Sequence, residues 1–131
     1  MSAEQNIEIV RCYFEAGSRG DLEALGDMLS AEIEWHQPGV GTLSGLHRGK
    51  EAVLDLLRQF VERSGGTFRI DTFGPLMTQG DLVAAPNRFS AQKTAASISM
   101  VGLDVLRVED GLIREVWLFS EDQAAEDAFW G

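Results

Sequence analysis

The chain has 131 residues, 44% of them hydrophobic and 24% charged, with a formal net charge of −10. That length suits one domain, residues 1–131, with a real core. The acidic balance argues against nucleic acid or an anionic membrane as partner, since either demands a basic face. A lone cysteine, Cys12, makes no internal disulfide and suits a reducing compartment. No apolar run is long enough to span a bilayer, and the start lacks a basic stretch followed by an apolar core. A cytoplasmic location is therefore expected.

Ser2-Ala-Glu-Gln5 reads as a capping box opening a helix with apolar residues at Ile7, Val10 and Phe14, joined by Tyr13. It stops at Gly17-Ser-Arg-Gly20, and Asp21 caps a second helix carrying Leu22, Leu25, Met28 and Leu29. Alternation over residues 32–37 predicts a short strand with Ile33, Trp35 and Gln37 on one face, and Glu34 and His36 on the other. Residues 39–49 are glycine-rich and read as a loop. A third helix spans about 50–63, with Val53, Leu56, Leu57, Phe60 and Val61 as its stripe, and Gly65-Gly66 ends it.

From Thr67 the pattern turns to strands, expected near 67–77, 81–92, 96–108 and 111–119. Pro86 marks the second of these as an edge or a bulge. Asp110-Gly111 between two alternating runs is a strong hairpin signal. The same alternation places Asp104 on one face with Leu106 and Val108. If that face walls a cavity, poor hydration favours the protonated carboxyl. The tail from Glu121 to Trp130 has a helical look. Its Phe129 and Trp130 suit closure over an apolar opening or a partner subunit, and its acidic residues, Glu126 among them, suit a solvated face. Three helices collected on one face of a strongly curved, mostly antiparallel sheet make a cone-shaped α+β fold that encloses a pocket.

This order and several motifs resemble the nuclear transport factor 2-like superfamily, in its SnoaL-like and ketosteroid-isomerase-like branch. The residues that carry the resemblance are Tyr13-Phe14 ahead of Gly20-Asp21-Leu22, Glu34-Trp35-His36-Gln37-Pro38-Gly39, Arg48-Gly49-Lys50-Glu51-Ala52-Val53, and Val105 through Trp117. The superfold hosts isomerases, dehydratases, cyclases, hydrolases and non-catalytic binders, so fold alone does not choose among them. By resemblance to ketosteroid isomerases, Tyr13 and Asp104 match the pair of neutral donors that stabilises an enolate. The position of the proton-moving base falls on Gln37, which cannot titrate. The acid of SnoaL-like cyclases, next after a tryptophan on the last strand, falls on Leu118. By resemblance to limonene-epoxide hydrolases, Arg88 matches the arginine, while the positions of their aspartates fall on Ser90 and Leu118.

Four residues are candidates for chemistry: Asp104, Tyr13, His36 and Arg88. Each has a plainer reading. Asp104 can pair with Arg88 or Arg107, Tyr13 can be a core tyrosine, and Arg88 can be a solvated edge charge. His36 is a candidate base because histidine is the side chain suited to proton transfer near neutral pH, but alternation turns it away from Trp35, and only a bulge near Pro38 would bring it inward. Trp35, Gln37, Phe60, Leu106, Trp117 and Leu118 are assigned to the pocket wall. Two histidines without ligand spacing imply no metal, and the resemblance implies no cofactor. The expected activity is acid/base chemistry on a small apolar, cyclic or polyketide-like molecule. The alternatives are a non-catalytic binder of a small hydrophobic ligand and a structural dimerisation module. A homodimer is expected under all three.

Overall fold

The structure, a computed structural model, describes residues 2–131. Helix α1 (Ala3–Arg19) opens with the expected box: Ser2 Oγ accepts from the Gln5 N–H, and Gln5 Oε1 accepts from the Ser2 N–H. Gly20 ends it at φ 67°, a left-handed turn that glycine adopts without strain. Asp21 caps α2 (Leu22–Met28) through the Ala24 N–H. Strand β1 (Leu29–Gln37) follows, then β2 (Gly45–Arg48) and α3 (Lys50–Arg63). Four further strands complete the sheet: β3 (Arg69–Thr72) and β4 (Met77–Gln79), then β5 (Leu82–Gln92) and β6 (Ser97–Glu109). The chain continues through β7 (Leu112–Ser120) into α4 (Gln123–Trp130).

The seven strands form one sheet in the order β2-β1-β7-β6-β5-β3, with β4 also on β5. Every pairing is antiparallel except β1 with β7. The four helices and this curved, open sheet make an α+β cone. The hairpin between β6 and β7 turns at Asp110 (φ 52°) and Gly111 (φ 79°), the two positive values a tight right-twisting hairpin needs. Between Arg107↔Glu115 and Val108↔Ile113 the register shifts, leaving Arg114 as an extra residue on β7. Such a bulge bends the strand, which suits a sheet that must curl.

Three details differ from the sequence reading. The glycine-rich segment contains a strand, β2, because β1 offers it an edge from Gln37 back to Glu34. The run near 67–77 divides into β3 and β4 around Gly74-Pro75. Pro86 lies in a strand with partners on both sides, yet it breaks no ladder. The Pro86 carbonyl accepts from the Phe73 N–H, so its missing N–H also faces the gap between β3 and β4.

One apolar core lies between helices and sheet, built from Val10, Leu29, Ile33, Val53, Val83, Leu106 and Val116 among others. Each such side chain contributes about 1.5–3 kcal/mol by leaving water. Above this layer, toward α4, the two faces part and leave a cavity.

Candidate functional site

The cavity has a volume of about 90 Å³, well above the ~10–15 Å³ one water needs. Its wall is apolar: Phe14 of α1, Leu57 and Phe60 of α3, Trp35, Phe68, Phe89, Leu118 and Trp130. Five polar side chains join it, those of Tyr13, Gln37, Asp104, Ser120 and Glu126. Among the described residues, no lysine, arginine or histidine lines it.

Asp104 is 4% exposed. It reaches the cavity because β6 alternates, with Asp104, Leu106 and Val108 all buried on the inner face. Its cross-strand partners are Ala85 and Leu118. Among the described residues it forms no salt bridge. Burial pushes its carboxyl up to about 7, the Asn87 side chain pulls it down, and the charge of Glu126 pushes it up further. Tyr13 faces it from α1. Burial, then the nearby Asp104 charge, raises the phenol well above its ordinary range, so it remains a neutral donor.

Gln37 is buried at the end of β1, where the Trp35 indole N–H donates to its Oε1 (3.0 Å). That bond turns the amide nitrogen into the end that can donate. Glu126 of α4 is 7% exposed and accepts three hydrogen bonds. Ser120 Oγ–H and Gln123 Nε2 donate to its Oε1 at 2.6 and 3.2 Å, and Trp130 Nε1 donates to Oε2 at 3.3 Å. Helix α4 is tied down across the opening. Arg63 Nη1 donates to the Trp130 carbonyl (2.8 Å), the Val40 N–H donates to Asp127 Oδ2 (3.0 Å), and Lys93 Nζ donates to the Phe129 carbonyl.

Of the expected site residues, Asp104, Tyr13, Trp35, Gln37, Phe60 and Leu118 meet at the cavity. Four do not. His36 lies on the outer face, stacked on Trp117 (5.5 Å between rings) and 2.7 Å from Glu115. Trp117 follows it outward, since neighbours on a strand cannot both face in and Leu118 occupies the inner position. Arg88 is exposed: Ala85 pairs with Asp104, so the inward residues of β5 are Val83, Ala85, Asn87, Phe89 and Ala91. Leu106 points inward but is sealed in the core, below the cavity.

Sequence reading missed Glu126, Ser120 and Asn87. Glu126 was legible, because it precedes the buried Phe129 and Trp130 by three and four residues and so shares their helical face. Asn87 was legible too, by its alternation with Val83, Ala85 and Phe89. Its Oδ1 is buried without a hydrogen-bond partner among the described residues. Among the described residues, no group of three or more histidine, cysteine or carboxylate side chains is placed to hold a metal, and no helix is long and apolar enough to cross a membrane.

Helices laid on a curved sheet around a cavity with a buried carboxyl define a nuclear transport factor 2-like cone. Residues 10–116 match the SnoaL-like domain, and the chain belongs to that family. It is 27% identical to an uncharacterized protein of Mycobacterium tuberculosis over 130 residues, 99% of each chain. A crystal structure of a protein with a cystatin-like fold from Xanthomonas campestris is similar at 44% identity and a TM-score of 0.92, covering 96% of this chain and 98% of that one. An NTF2-like protein from Burkholderia xenovorans shares the fold at 24% identity and a TM-score of 0.77, over 100% and 99% of the two chains.

Proposed function

We propose that the cavity takes a small, uncharged, mostly apolar molecule bearing one oxygen, and acts on it by acid/base chemistry without a cofactor. Tyr13 and a protonated Asp104 donate to that oxygen and stabilise negative charge as it develops. The observation that carries this reading is the placement of Asp104. A carboxyl buried in an apolar cavity with no cation beside it is costly as an anion and useful as a neutral donor. The absence of basic side chains from the wall disfavours an anionic ligand, and the aromatic rings favour a cyclic one. Proton transfer α to a carbonyl, as in isomerisation or cyclisation, is the class of reaction that needs such a pair.

The test is binding of 2-naphthol, whose oxygen mimics an enolate oxygen, followed by fluorescence. Tyr13→Phe and Asp104→Leu each remove one donor and are expected to weaken binding about tenfold or more. Wild-type affinity in both variants overturns the reading. Binding that depends on the pair, without turnover of any enolisable ketone, leaves a non-catalytic binder, a reading that Gln37 and Leu118 support.

A pair of these chains is proposed to form through the outer sheet face. Val101, Leu103 and Val105 of β6 and the 58% exposed Phe119 give that face apolar area beyond what charged neighbours cover. Sedimentation at micromolar concentration is expected to show a dimer, and a monomer alone would contradict it.

A further inference from the structure

We infer that Glu126, on α4, is the proton-transferring base that faces the Tyr13–Asp104 pair, an assignment that rests on the reading above. Three observations converge on it. The end of β1 offers only Gln37, a neutral amide, so no base comes from that side. Glu126 is the other carboxylate in the cavity wall, and its charge acts on Asp104. Its surroundings hold it as an acceptor: Ser120, Gln123 and Trp130 donate to it, and no cation pairs with it among the described residues. A carboxylate has about four lone-pair sites. Three are occupied, which leaves capacity for one proton from a ligand.

The two carboxyls therefore divide the work. Asp104 lies among apolar groups, and burial there raises its carboxyl and favours the neutral donor, whereas Glu126 sits among donors that aim at its oxygens and suit an acceptor. In the step this permits, Glu126 removes a proton from the carbon α to the ligand carbonyl. The electron pair of the broken C–H bond becomes the new C=C bond, and the carbonyl π pair moves to oxygen, which accepts from Tyr13 and Asp104. Return of the proton to the same carbon gives exchange, and return to a conjugated carbon gives isomerisation. No oxidant, reductant or co-reactant is needed.

The experiment is hydrogen–deuterium exchange at the α-carbon of 2-tetralone in D₂O, followed by NMR, beside 2-naphthol binding. The wild type is expected to accelerate exchange. Glu126→Gln keeps the shape and much of the hydrogen bonding but cannot take a proton, and is expected to lower exchange at least ~100-fold while changing naphthol affinity less than ~10-fold. Added acetate is expected to restore part of the exchange in Glu126→Ala, which a purely structural role would not allow. If Glu126→Ala does not fold, Glu126→Gln decides alone. Wild-type exchange in Glu126→Gln, or naphthol binding by a wild type that exchanges nothing, overturns the assignment while leaving the oxyanion pair standing. Naphthol binding that is indifferent to Tyr13 and Asp104 overturns the underlying reading instead.

Discussion

The two faces of the sheet are made from the same strands and solve the same problem in opposite ways. On the outer face, charge is matched and wet. His36 meets Glu115 at 2.7 Å, Arg107 lies 3.8 Å from the same glutamate, and its guanidinium rests over the Trp117 ring. On the inner face, Asp104 of β6 stands without a cation among the described residues, as does Glu126 of α4 in the same cavity wall. A matched pair at a surface is ordinary and worth little. An unmatched carboxyl in an apolar wall costs stability and is retained where it has a use. The difference teaches that charge alone does not mark a site; what matters is charge without a partner.

Four substitutions sharpen this contrast, in falling order of effect. Trp130 packs at a tilt against Phe60 (4.9 Å between ring centres) and closes the cavity beneath α4. Trp130→Ala is expected to cost about 3–5 kcal/mol in urea denaturation, and a loss under 1 kcal/mol would mean that α4 does not seal the cone.

Asp104→Asn comes next, and its effect depends on pH. The folded carboxyl titrates near 7 and the unfolded one near 3.8. Between those values the folded state binds the extra proton, so wild-type stability falls as pH rises, and the penalty is complete above about pH 7. Its size is on the order of 4 kcal/mol. Asparagine carries no such penalty. The variant is expected to be the more stable protein at pH 8.5, with the gap closing by pH 4.5, as read from urea midpoints at the two pH values.

His36→Ala removes the hydrogen-bonding partner of Glu115 on the outer face, a side chain more than a third exposed. A cost of about 1 kcal/mol or less is expected, with naphthol binding intact. A tenfold loss of binding would bring His36 back into the site. Arg88→Ala is the smallest: its side chain is exposed, so thermal midpoint and binding are both expected to stay at wild-type values.

How much of this was legible in the sequence varies by element. The alternation of Asp104 with Leu106 and Val108, and of Ile33 with Trp35 and Gln37, set the inner face correctly, because a half-buried strand must alternate. The capping box, both helix caps and the Asp110-Gly111 turn were readable for a similar reason, being local chemistry. The family resemblance, carried by motifs from Tyr13 to Trp117, anticipated the cone. What failed was relational. Whether Arg88 or Asn87 faces Asp104 depends on the register of β5 against β6, and a shift of one residue exchanges them. Trp117 and Leu118 exchange by the same logic against β6. Glu126 was hidden by its acidic neighbours, Glu121, Asp122 and Asp127, which made a solvated face the simpler reading. Its spacing from Phe129 and Trp130 carried the contrary signal.

The proposed donor pair requires Asp104 to hold its proton in near-neutral solution. A carbon-13 NMR titration of the aspartate side-chain carboxyls, with Asp104 assigned by its loss in Asp104→Asn, measures that directly. One carboxyl is expected with a midpoint near 7, moving downward when Glu126→Gln removes the neighbouring charge. A midpoint near 4 for Asp104 in the wild type would make it an ordinary carboxylate at neutral pH and would contradict the proposed donor pair.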